Sequence, residues 1–168
     1  MPPTAHVDPT DTAANPLDTI EQIIGANGWS FDRSGECEVT AEVSGQWSDY
    51  TLYFNWSAEM SAMHFTCAFN FKVPAQRRAA FHELLALSNE RLWIGHFGIG
   101  TEDSIPAFHQ SVLLRGTAGA SQESLEDMLD IALTECERFY PAFQFTVAAG
   151  KPAAESLAAA LLECAGEA

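Results

Sequence analysis

Positive charge is scarce in this chain. Of 168 residues, 8 are Lys or Arg against 23 Asp or Glu, a formal charge of −15. A phosphate backbone calls for a concentrated basic face. Here the cations are scattered and only Arg77 and Arg78 are adjacent. The expectation is therefore no nucleic acid and no anionic membrane surface as partner. Long apolar runs are missing too, and no stretch approaches the ~20 residues that a membrane span needs. Cysteine is sparse: Cys37, Cys67, Cys136 and Cys164 form no C-x-x-C pair. Zinc sites and disulfide frameworks show tighter spacing. A reduced, cytoplasmic setting is expected. Residues 1–14 have neither the basic start nor the apolar stretch of a signal peptide.

Catalytic signatures are also wanting. His82-Glu83 opens like a zincin helix, but Ala86 stands where the second histidine belongs. Gly95, Gly98 and Gly100 suggest a phosphate loop. Such a loop must follow a strand and open a helix, whereas these glycines lie in a strand before a hairpin. Close backbone packing or a bulge accounts for them. Ser111 and Ser121 have no G-x-S-x-G context. Glu36, Glu38 and Glu42 recur at the spacing of one strand face, the pattern of a wet surface. No catalytic residue, metal ligand or cofactor site is assigned.

What the chain does have is segment order. Its hydrophobic content of 47% with 18% charged residues marks a globular protein. Residues 1–14 read as a disordered N-terminal tail and 15–168 as a single domain. Asn15-Pro16 starts a helix with Leu17, Ile20, Ile23 and Ile24 on one face. A short strand at Trp29–Phe31 precedes a break at Ser34-Gly35. Three alternating strands follow. Cys37, Val39, Ala41 and Val43 share the apolar side of the first. Tyr50, Leu52, Phe54 and Trp56 mark the second. The third carries Met63, Phe65, Cys67, Phe69, Phe71 and Val73, with His64 and Thr66 on its other side. Short loops imply an antiparallel meander. Pro74 begins a helix to about Arg91, with Ala80, Leu84, Leu87 and Arg91 on one stripe and Phe81, Leu85 and Ser88 beside it. Ile94–Ile99 and Ile105–Leu114 form a hairpin. Pairing Thr101 with Ser104 sets His96 across from His109. Two ordinary strand histidines are the expectation there, since no third ligand is apparent. Ser121 caps a helix buried through Leu125, Met128, Leu129, Ala132, Leu133, Cys136 and Phe139. Pro141 should kink it or start another. A terminal helix, 152–164, sets Leu157, Leu161 and Leu162 on one side. The fold class is α+β: helix, three-stranded antiparallel meander, helix, β-hairpin, C-terminal helices.

This order resembles the type III secretion chaperone-like fold. The blocks Leu84-Leu85-Ala86-Leu87-Ser88-Asn89 and Leu92-Trp93-Ile94-Gly95-His96-Phe97-Gly98 resemble the YbjN family. So does Arg138-Phe139-Tyr140-Pro141-Ala142-Phe143-Gln144-Phe145, ending at Gly150-Lys151. The resemblance implies one α+β domain, dimeric, in a family of bacterial sensory transduction regulators. It brings no catalytic residues with it.

Trp29, Trp47, Tyr50, Tyr53, Trp56 and Trp93 exceed what the core face obviously needs. Trp and Tyr suit places where apolar area meets water. Tyr50 and Trp56 read as core; Trp47, in a turn, and Tyr53, among polar neighbours, read as surface. Leu157 and Leu161 must dock on the body or on a second copy. Trp47, Tyr53, Leu157 and Leu161 are therefore the candidate partner-binding residues. The expected function is a non-enzymatic, protein-binding regulatory domain, a homodimer that captures an extended or amphipathic segment of a protein or peptide. The alternative is a small-molecule sensor with its pocket between sheet and helices.

Overall fold

The computed structural model describes residues 13–166, with side chains as far as 162. Most of the expected N-terminal tail, and the Cys164 side chain, lie outside the described residues. The last two residues of that tail are ordered: Ala13 is buried, and Ala14 N–H donates to the Ala118 carbonyl at 3.3 Å.

Helix α1 (Leu17–Ala26) starts where Asn15 Oδ1 accepts from Leu17 N–H at 3.0 Å. Its buried side is Leu17, Ile20, Ile23 and Ile24, as the spacing requires. Four strands follow: β1 (Ser30–Ser34), β2 (Glu38–Ser44), β3 (Asp49–Ser57) and β4 (Ala62–Phe69). The short Trp29–Phe31 element is thus a full strand, and the meander has four strands rather than three. Cys37 sits in the β1–β2 turn and is exposed, not on the core side of a strand. A single 3₁₀ turn (Ala75–Arg77) leads into α2 (Arg78–Asn89). Its buried face is Phe81, Leu84, Leu85 and Ser88, so the core lies on the side of the stripe that carries Phe81, Leu85 and Ser88. The hairpin β5 (His96–Ile99) and β6 (Pro106–Leu113) follows. Gly95, at φ +72°, brings the chain against Phe108, and any Cβ there would run into that ring.

The sheet has six strands in the order β1-β2-β3-β4-β6-β5, all neighbours antiparallel. Strand alternation buries Val39, Leu52, Phe54, Phe65, Cys67 and Phe108 on one face. Helices cover that face. In α3 (Gln122–Val147) Ser121 Oγ accepts from Ser124 N–H at 3.1 Å, the expected cap. This helix continues through Pro141, so no second helix starts there. Proline there forfeits the bond to the Glu137 carbonyl, a cost of about 3 kcal/mol. Burying Pro141, Ala142 and Phe143 in the next turn offsets it. Phe143 meets Phe81, Phe97 and Phe69 edge-on at 5.1, 5.2 and 5.2 Å. At the centre, Cys67 and Cys136 Sγ lie 3.7 Å apart, and burial pushes the Cys136 thiol pKa up.

Helix α4 (Ala153–Gly166) packs on α2 and α3. Ala153, Ser156, Leu157 and Ala160 are buried, and Ser156 Oγ bonds Thr146 Oγ1 at 2.9 Å. Leu161 is half-buried, but Leu162, expected on the same side, is 74% exposed. One residue is a 100° step at 3.6 residues per turn, which carries Leu162 off the contact.

Candidate partner-binding site

A sheet end exposes a row of backbone donors and acceptors. The two ends of this sheet treat that row differently. On β5, Phe97 faces Phe108 across the ladder. Its own N–H donates to Asn89 Oδ1 at 2.7 Å, and its carbonyl accepts from Asn89 Nδ2 at 3.0 Å. The side-chain amide of the last α2 residue thus imitates the next strand at Phe97. On β1, among the described residues, no backbone group is bonded on the side away from β2.

The surroundings of β1 are acidic. Register sets Ser30 beside Glu42, Asp32 beside Thr40 and Ser34 beside Glu38, all in the row away from the helices. Among the described residues no cation makes an ion pair with Asp32, Glu38 or Glu42. In the opposite row, Arg33 is held by Asp18 at 2.8 Å and Glu21 at 3.3 Å. Phe31, also in that row, remains 44% exposed. Beyond Ser30 the chain leaves the sheet towards α1, with Trp29 N–H on the Ile24 carbonyl, while β2 continues to Ser44. The gap is a cleft of about 510 Å³ lined by Trp29, Ser30, Glu42, Val43 and Asp49.

No described helix covers the outer face of the sheet, where Glu42, Tyr53, Asn55, His64 and Ser111 are exposed. Three histidines line up across β4, β6 and β5. His96 pairs with His109 in the expected register, their rings 5.3 Å apart, and His64 lies 5.6 Å beyond. Thr66 Oγ1 sits 3.1 Å from His109 Nδ1 and 3.3 Å from His64 Nε2. Burial, then the His96 and His64 charges, lower the His109 pKa to about 4. The rings stack instead of converging, and among the described residues no three His, Cys, Asp or Glu side chains could hold a metal ion. Beside them a shallow cavity of about 330 Å³ has a floor of Ala68, Gly98 and Ala107, walled by Tyr53, His96 and His109.

The four candidate residues are dispersed. Tyr53 stands on this open face, 38% exposed. Trp47, 47% exposed, stacks on Tyr140 at 6.3 Å at another corner. Glu137 presents it, accepting from Gln46 N–H at 3.1 Å, Trp47 N–H at 3.2 Å and the Tyr50 hydroxyl at 2.7 Å. Burial and then the Glu137 carboxylate raise the Tyr50 pKa, so it stays a donor. Leu157 and Leu161 belong to the α4 contact with the same chain. Sequence reading missed Asp32 and Asn89, whose roles depend on which strands end the sheet. It placed His64 on the outer side of its strand, but only the β4–β6 pairing brings it to His109.

Fold and surfaces define the class: a two-layer α+β domain with helices on one face of an antiparallel sheet. Within that class the chain belongs to the YbjN family, whose model, described as "Putative bacterial sensory transduction regulator", matches residues 16–145. Helix α4 lies beyond the matched span. A similar solved structure is described as "Crystal structure of YbjN, a putative transcription regulator from E. coli". It is 12% identical, with 71% of this chain and 84% of that chain covered and a TM-score of 0.51. At that identity the likeness speaks to the fold alone. Comparison with curated proteins found no match. The family description is regulatory, not enzymatic. Among the described residues no helix is long and apolar enough to cross a membrane.

Proposed function

We propose that this chain is a non-enzymatic regulatory domain that holds an extended segment of a protein partner along β1. The observation that carries the reading is the contrast between edges: β5 is capped at Phe97 by Asn89, whereas β1 offers its backbone groups and the exposed Phe31. Strand addition draws affinity from main-chain hydrogen bonds and specificity from alternate side chains. The kinship in fold with secretion chaperones belongs to the same proposal, as does a cytoplasmic setting. So does a homodimer, which the exposed Met60 and Leu113 near one end of β4 and β6 support.

A photoreactive phenylalanine analogue at position 31, compared with one at position 96, tests the reading in cells. Crosslinks to a protein partner are expected from 31 and not from 96. Equal yields, or none from 31, refute it. The shallow cavity beside His96 and His109 supports a second reading, small-molecule sensing, although it lies on the open face and not between sheet and helices.

A further inference from the structure

We infer that the segment taken up by β1 is a basic strand, with Lys or Arg at three alternate positions and an apolar residue between. The inference rests on β1 being the docking edge and names what that edge selects.

A strand added beside β1 lies about 4.8 Å away and points alternate side chains to the same face. Its outer row falls next to Ser30, Asp32 and Ser34. The two serines are short, and directly behind them in register stand Glu42 and Glu38. Long cationic side chains at the two outer positions can therefore cross over the serines towards those glutamates, with Glu42 turning back from Thr51 Oγ1, which donates to it at 3.2 Å. A cation at the middle position meets Asp32. Three carboxylates at a period of two residues match three cations at the same period. Favourable opposite-charge pairs of this kind stabilise neighbouring strands.

The inner row imposes a different demand. Arg33 is already satisfied by Asp18 and Glu21 and needs no further anion. Phe31 leaves much of its ring exposed on this row. The residue between the first two cations is therefore apolar. At the Ser30 end, Trp29, Glu42 and Asp49 line one cleft. A cation over an indole face within carboxylate reach is a favourable arrangement.

A second copy of the chain fits this edge poorly. Self-pairing centred on the middle of β1 sets Asp32 opposite Asp32, a like-charge pair. Each copy also brings a formal charge of −15. The occupant is thus a basic segment of another protein.

The test uses the full chain and a fluorescent peptide of alternating lysine and valine. Controls are its glutamine-for-lysine counterpart, a same-composition peptide with the lysines in one block, and the alternating peptide N-methylated on its backbone. The alternating lysine peptide is expected to bind roughly tenfold or more tighter than the glutamine and block peptides. Affinity should fall with added salt. It should shift amide resonances of residues 30–34 and leave those of 96–99 unmoved. Glu38→Gln with Glu42→Gln, both surface isosteres, should narrow the lysine-over-glutamine gap to under about threefold. N-methylation should abolish binding. If the glutamine peptide binds as tightly as the lysine peptide, the basic inference is overturned while strand docking stands. If N-methylation changes nothing, strand docking itself is refuted. If neither peptide binds and light scattering shows copies joined through β1, the occupant is the second copy and the inference is wrong.

Discussion

The two ends of this sheet are built to opposite rules. At the β5 end a helix lies alongside, and the Asn89 amide takes both outward backbone groups of Phe97. Histidine rings stack on the outer face there, and α4 backs α2 from behind. At the β1 end the strand is five residues long, its edge is free among the described residues, and carboxylates flank it. An unprotected edge is a hazard that proteins usually blunt with charge, brevity or cover. Here one end has cover at Phe97, and the other has an outer row whose charges are all carboxylates. Cover excludes every strand; charge of one sign excludes acidic ones and admits basic ones.

The largest expected effect disturbs the support behind the closed end. Leu157 is buried where α4 meets α2 and α3. Leu157→Asp places a carboxylate there and should cost roughly 2–5 kcal/mol, as for other severe core changes. Hydrogen exchange should show amides of 153–162 losing protection relative to the parent. Equal protection in both chains would mean that α4 does not depend on this contact.

Next in size is the seal itself. Asn89→Ala leaves the Phe97 N–H and carbonyl unpaired and should cost roughly 1–3 kcal/mol in urea unfolding. It should also give the strand probe a second binding site, breaking the contrast between the ends. Asn89→Asp keeps the acceptor for Phe97 N–H and loses the donor, so an intermediate loss is expected.

Acid should act on the same end. His109 titrates near 4 in the folded chain against 6.5 for the ordinary group. Its folded pKa is depressed, so below pH 6.5 the unfolded chain binds a proton that the native chain does not. This site costs nothing above that pH, and its penalty grows as pH falls from 6.5 to about 4. With the ring partly exposed and screened, the loss should be on the order of 1 kcal/mol. Carboxylates titrate in the lower part of this range too, so the measurement is the difference between the parent and His109→Gln in stability against pH. Parallel curves would remove His109 as the cause.

The smallest effect belongs to the open end. Phe31→Thr removes a ring that is 44% exposed, and should change stability by less than about 0.5 kcal/mol. The same change should weaken binding of the alternating peptide. Stability and binding should thus separate at β1, whereas at Asn89 one change alters both, in opposite directions.

Local rules made much of this legible. Period-two alternation found the buried rows of β2, β3 and β4. Turn length alone predicted that His96 faces His109, because an antiparallel hairpin has a constant residue sum. Ser121 was identified as a cap by its position before an amphipathic run. Where local rules failed, long-range packing had intervened. Pro141 starts no new helix, because α3 continues through it with its neighbours buried. Leu162 points outward because α4 is placed by α2 and α3, which present only a narrow face to it.

By itself, then, the sequence determined the elements, their apolar faces, the hairpin register and the acidity, since each depends on residues close together in the chain. The tertiary structure alone decided the neighbours. It inserted β6 beside β4, which joined His64 to the other two histidines. It brought Asn89 to the β5 edge, left β1 as the free end and aligned Asp32 with Glu38 and Glu42. Such pairings depend on which strands end the sheet, and that is settled only when the whole chain packs around one core.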